Sequence, residues 1–128
     1  MTMKYATRQM GDVTIVDVSG RLSLGEAVAF GPGSGLVLGE TVRELARKGH
    51  RKILLNLTGV SYVDSSGVGQ LVGALTSARN QGGDLKLVNP TPQVREVLKT
   101  TNLHTIFDVR DDEASAIQAF SKGGVAAG

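Results

Sequence analysis

Asp64-Ser65-Ser66-Gly67-Val68-Gly69 sets a carboxylate and two hydroxyls ahead of two glycines. A serine beside an acid can serve as an activated nucleophile, as a helix cap, or as a hydroxyl offered for modification. The first use normally needs a Gly-x-Ser-x-Gly elbow. Here the serines follow Val63 and Asp64, and the leading glycine is missing, so nucleophilic catalysis is not expected. Capping is the plain local reading, because Asp and Ser satisfy free amides at a helix start. Gly67 and Gly69 then fall in the first turn and Gly73 further in, where each costs up to about 1 kcal/mol relative to alanine. Glycines tolerated at that cost leave a smooth helix start that another backbone could approach closely.

Two other groups of residues carry less. His50 lies beside Arg51 and Lys52, and His104 lies just before Ile106. Neither has a second His or a Cys at ligand spacing, so no metal site is expected. Gly31-Pro32-Gly33-Ser34-Gly35 suggests a phosphate loop, yet no Lys-Ser/Thr pair follows Gly39, and that glycine falls one place late for a dinucleotide fingerprint. A glycine- and proline-rich surface loop is the better reading of residues 31–35.

The elements that must position the serines follow from periodicity. Residues 3–10 and 13–19 flank Gly11-Asp12, a turn-favouring pair, and Val13, Ile15, Val16 and Val18 are strongly β-prone, which predicts an opening hairpin. Lys52 to Leu57 and Leu85 to Val88 are short apolar runs of the kind buried on both faces. Leu38, Val42, Leu45 and Ala46 recur at helical spacing before Gly49, a C-terminal cap. Val68, Leu71, Val72 and Leu75 do so after Ser66, up to Gly82-Gly83. Pro92 opens a third helix with Val94, Val97 and Leu98 on its stripe. Asp111-Asp112-Glu113 suits the start of a fourth, with Ala116, Ile117 and Phe120 as its apolar face. Alternating strands and helices imply parallel pairing. The expected fold is α/β, a mixed sheet of four to five strands with about four helices packed on it. The serines then stand at the C-terminal edge of the sheet, where open α/β sheets commonly bind ligands.

Composition narrows the function. With 128 residues the chain is long enough for one core; residues 1–120 are expected as one domain and 121–128 as a flexible tail. No apolar run is long enough to cross a bilayer and residues 1–9 lack a secretory signal, so a cytoplasmic place with no membrane partner is expected. The chain has no cysteine, which excludes disulfides and thiolate metal sites within it. Net charge is only +2, and the aromatics Tyr5, Tyr62, Phe30, Phe107 and Phe120 avoid basic stretches, so no nucleic-acid partner is expected.

At this point the sequence resembles the STAS-domain anti-sigma factor antagonists of bacteria. The resemblance rests on Tyr62-Val-Asp-Ser-Ser-Gly-Val-Gly69, with Val18-Ser-Gly-Arg-Leu22 and Ile53-Leu-Leu-Asn-Leu57 before it. After it come Asn80-Gln-Gly-Gly83, Leu85-Lys-Leu-Val88 and Thr101-Asn-Leu-His104 leading to Ile106-Phe-Asp108. The resemblance implies a non-enzymatic switch without cofactor or metal. The unphosphorylated antagonist binds an anti-sigma factor that is also a serine kinase, and so releases a sigma factor for transcription. The kinase then modifies the hydroxyl immediately after the Asp, here Ser65, and a phosphatase restores the binding form. Asp64, Ser66, Gly67, Val68, Gly69 and Ser23 are the implied partner-binding residues. Ser23 departs from the pattern, since many members carry an acid there, and the segment from Leu24 to Leu38 is longer and richer in glycine than usual. A monomer or weak dimer is expected. A scaffold-type STAS protein of a larger signalling assembly, and a nucleotide-binding or hydrolytic protein using the glycine-rich loop, are the alternatives.

Overall fold

The computed structural model describes residues 4–22 and 37–127. Five strands form one sheet in the order β1-β2-β3-β4-β5, with β1 Lys4–Met10, β2 Val13–Leu22, β3 Lys52–Val63, β4 Asp84–Val88 and β5 Val109–Arg110. The described helices are α1 Val37–Arg47, α2 Ser65–Asn80, α3 Pro92–Thr100 and α4 Glu113–Ala127. β1 runs antiparallel to β2, and every other neighbouring pair is parallel. The expected mixed sheet and its opening hairpin are therefore present. Gly11 turns the hairpin at φ +62°, the conformation that two-residue β-hairpins require of their first turn residue. α4 runs on to Ala127, so the segment from 121 begins within a helix. The glycine-rich residues 31–35 lie outside the described residues, as does Ser23.

Because strand order follows chain order, successive right-handed crossovers place α1, α2 and α3 on the same face. Val16, Val18, Ile53, Leu55, Leu57, Leu85 and Leu87 form that face and pack with Leu38 and Val42 of α1, Leu71 and Ala74 of α2, and Val94 and Leu98 of α3. The alternate residues Val13, Ile15, Leu54 and Val88 meet Ala116 and Phe120 of α4 on the opposite face. β3 thus needs apolar side chains on both sides, which explains its unbroken Ile-Leu-Leu core. The same order has no reversal, so this sheet lacks the switch-point crevice in which doubly wound sheets hold small ligands.

The helices stop where the glycines predicted. Gly49 at φ +103° and Gly82 at φ +80° each follow a helix as left-handed caps. The paired bonds His50 N to Leu45 O and Gly49 N to Ala46 O, and Gly83 N to Ala78 O and Gly82 N to Arg79 O, are Schellman closures.

Charges ring the α4 face. Arg8 Nε donates to Asp17 at 2.6 Å and Arg8 Nη2 to Glu113 at 2.6 Å, tying β1 to the first turn of α4. Lys86, buried under Phe120, donates to Asp108 at 3.0 Å, and Arg110 Nε donates to the same carboxylate at 2.6 Å. The hydrogen bond from Arg8 holds the Asp17 carboxyl below its ordinary value. For Asp108 burial pushes upward, but the hydrogen bonds from Arg110 and Lys86 together carry it lower. A carboxylate with a depressed folded pKa stabilises above its unfolded pKa and loses that contribution as pH falls through the folded value. The urea midpoint should therefore hold level from neutral pH down to about pH 5 and fall below about pH 4. Asp108→Asn should flatten part of that fall in a pH series of urea melts; an unchanged acid limb would remove Asp108 from the account.

Candidate functional site

Val63 ends β3 and Ser65 begins α2, so Asp64 alone makes the turn from strand to helix. Its backbone is extended, at φ −113° and ψ −171°, and its Oδ1 accepts from Gly67 N at 2.9 Å. The carbonyl of Asp64 accepts the first helical bond, from Val68 N at 2.9 Å. This is a complete N-cap, a feature worth about 1 kcal/mol. Ser65 and Ser66 therefore occupy the first two helical positions, where backbone amides lack helical partners and the dipole favours negative charge.

The sequence-expected residues separate in depth. Gly67 is buried, Val68 is half-buried against the core, and Gly69 is exposed with open space where a Cβ would stand. Only Gly69 of these three thus presents a bare backbone to an approaching partner. Gly73, one turn on, also has open space beyond it and faces Gly39 of α1. A shallow groove of about 330 Å³ runs there between α1 and α2, lined by Arg43, Glu40, Thr76 and Ser77 beside the two glycines.

Three features beside the serines were not visible in the sequence. Past Asn56, β3 outruns β4, and the side of β3 left open is covered by the start of α3. Thr91 Oγ1 donates to Val60 O at 3.1 Å while capping α3, and Gln93 brackets Val63, accepting from its N at 3.1 Å and donating to its O at 3.3 Å. Pro92 marks a helix start, but nothing local marks Gln93 as a stand-in for a missing strand. On the other side, Arg21 lies over the Tyr62 ring at 4.4 Å from its centroid, a cation–π contact that presents a cation two residues before the cap. That contact depends on two register shifts between β2 and β3, at Asp17/Ser19 and Gly20/Arg21, which twist the strand ends. Gln70, 3% exposed, has an Oε1 with no hydrogen-bond partner among the described residues, one turn along α2 from Ser66. A polar residue inside the apolar stripe was its only sequence signal.

Elsewhere, His50 Nδ1 lies 3.0 Å from Thr14 Oγ1 at the opposite end of the sheet, and His104 sits exposed in the 3-10 turn Leu103–Thr105. Among the described residues no three His, Asp or Glu side chains are grouped to hold a metal, and no helix is long and apolar enough to cross a membrane.

Among the described residues, a sequential five-stranded mixed sheet, three helices on one face and one on the other, and a capped Asp-Ser-Ser helix start at the sheet's C-terminal edge define a small α/β module. The STAS domain pattern matches residues 4–116. The chain belongs to the STAS-domain family of anti-sigma factor antagonists. It is 37% identical over 92 residues to the anti-sigma-B factor antagonist of Bacillus subtilis, covering 72% of this chain and 76% of that one. A Thermotoga neapolitana relative, also described as an anti-sigma factor antagonist, is 39% identical over 75 residues, which span 59% of this chain and 66% of the relative. The crystal structure of the Thermotoga maritima protein TM1081, described likewise, superposes with a TM-score of 0.75 at 29% identity, covering 91% of this chain and 94% of that one.

Proposed function

We propose that this protein is an anti-sigma factor antagonist that works by binding and is switched at Ser65. Unphosphorylated, it docks on a serine-kinase anti-sigma factor and displaces a sigma factor; phosphorylated, it lets go. A phosphatase acting on phospho-Ser65 resets it, and the exchange takes place in the cytoplasm without the antagonist catalysing any step. The observation that carries this reading is the position of Ser65: first residue of α2, directly after the Asp64 cap, at the C-terminal edge of the sheet. There a phosphoryl group meets free amides and the positive end of the helix dipole, so the fold can accept it. Asp64, Ser66, Gly67, Val68 and Gly69 supply the adjoining docking surface, with Ser23 from the segment after β2.

The test is incubation with MgATP and each serine-kinase anti-sigma factor of the source genome, followed by peptide mapping in a mass spectrometer. One phosphate on Ser65 is expected, absent from Ser65→Ala. Folded protein left unmodified by every candidate kinase, or modified only elsewhere, would sink the proposal.

A further inference from the structure

β1 is an edge strand, and its free side carries a pattern that can be read residue by residue. The two-residue turn at Gly11-Asp12 makes Met10 and Val13 its closing pair, so Met10 directs its carbonyl to β2. Hydrogen-bonded and non-bonded pairs alternate from there. Arg8 and Ala6 likewise bond to Ile15 and Asp17, while Gln9, Thr7 and Tyr5 turn both N–H and C=O away from the sheet. Among the described residues no backbone group meets them.

Among the described residues, most devices that blunt an edge strand are missing. β1 has seven residues, no proline and an unbroken register with β2, whereas the opposite edge, β5, has only two residues. Arg8, which could repel a neighbour, is held by Asp17 and Glu113 of its own chain. Of the large apolar side chains exposed among the described residues, Tyr5 and Met10 lie on this strand. Over its helix-side face lies an open groove of about 640 Å³ between Tyr5, Thr7 and α1.

We propose that β1 is the seam of a two-fold dimer, in which two copies of this chain pair antiparallel about Thr7. Register and the number of bonds formed select that pairing. Outward-facing residues must meet outward-facing residues, and centring on Thr7 sets Thr7 against Thr7, Tyr5 against Gln9, and Lys4 against Met10. It uses the whole strand and forms about six backbone hydrogen bonds. A centre at Ala6 or at Arg8 would pair only five of the seven residues of each β1 and form about four such bonds. The axis stands perpendicular to the sheet, so the two sheets become one and their C-terminal edges point in opposite directions. Each copy's Ser65 edge then stays open.

The test uses the native chain. Sedimentation equilibrium from about 10 μM to about 1 mM should show the mass rising from one chain toward two, since dimerisation follows mass action. Over the same range, hydrogen exchange by NMR should slow at the amides of Tyr5, Thr7 and Gln9, and not at those of Ala6 and Arg8, which already bond to β2. Thr7→Pro removes the central outward N–H and should stay monomeric, with Ala6 and Arg8 still protected as the sign that the hairpin is intact. A monomer throughout the range would overturn the proposal. So would an association whose protection falls on other residues, or a folded Thr7→Pro that associates like the native chain. None of these readouts involves the anti-sigma factor, so they fail or succeed independently of the role proposed for Ser65.

Discussion

Ser65→Asp should weaken binding to the cognate anti-sigma factor by about tenfold or more, while Ser65→Ala should bind within about threefold of the native protein; tenfold requires only about 1.4 kcal/mol. The prediction separates two consequences of one charge. Within the free protein, a carboxylate at the first position of α2 lies by the positive end of the helix dipole, a placement neutral to mildly stabilising. The thermal midpoint of Ser65→Asp should therefore stay close to native. Within a complex, the same charge adds to Asp64, one residue away, and must be paired or stripped of water when the surface is covered. Phosphate, at roughly −1.5 to −2 charges, exaggerates both effects. Isothermal titration of the native protein and the two variants decides the matter. If both variants bind like the native protein, charge at this position does not control docking. If Ser65→Asp binds weakly and also melts early, the effect belongs to the fold.

How much of this was legible in the sequence depends on how local each feature is. The N-cap at Asp64, the Schellman glycines at 49 and 82, and Pro92 at the start of α3 are decided within about four residues, and each was readable. The end of β3 was not. The apolar run ends at Leu57, yet the strand continues to Val63 because β2 follows it through two register shifts. Gly59 sits at that junction for lack of room: a Cβ there would come within 2.8 Å of the Ser19 Cβ. The Arg21–Tyr62 contact and the Gln93 bracket depend on this extension, so both were hidden with it. Strand order was open as well, since hydrophobic runs state that strands are buried and not which strands are neighbours. It is the order without reversal that moves the candidate site from a crevice to an open edge, and an edge suits a protein partner better than a small ligand.

Gly82 and Gly83 should show a large stability contrast, because two adjacent glycines are required for different reasons. Gly82 is the left-handed cap of α2, and a Cβ there would come no nearer than 3.7 Å to the flexible Arg51 side chain. Gly82→Ala therefore pays only the left-handed conformation, about 1–2 kcal/mol. Gly83 is short of space. A Cβ there would stand 2.5 Å from the Arg51 carbonyl oxygen, 2.9 Å from its Cα and 3.1 Å from its carbonyl carbon, all backbone atoms. That carbonyl accepts from Asp84 N at 2.7 Å, at the start of the β3–β4 ladder, so relief of the clash must pull the two strands apart where their pairing begins. Gly83→Ala should cost about 3 kcal/mol, and occasionally more, by overpacking and a weakened ladder. Urea melts of the two variants side by side should place Gly83→Ala at the lower midpoint, and equal midpoints would mean that the strands yield more easily than their packing implies. The clash sits at the start of β3 and Ser65 follows its other end. Gly83→Ala that remains folded should therefore bind the anti-sigma factor as the native protein does, which separates loss of fold from loss of docking.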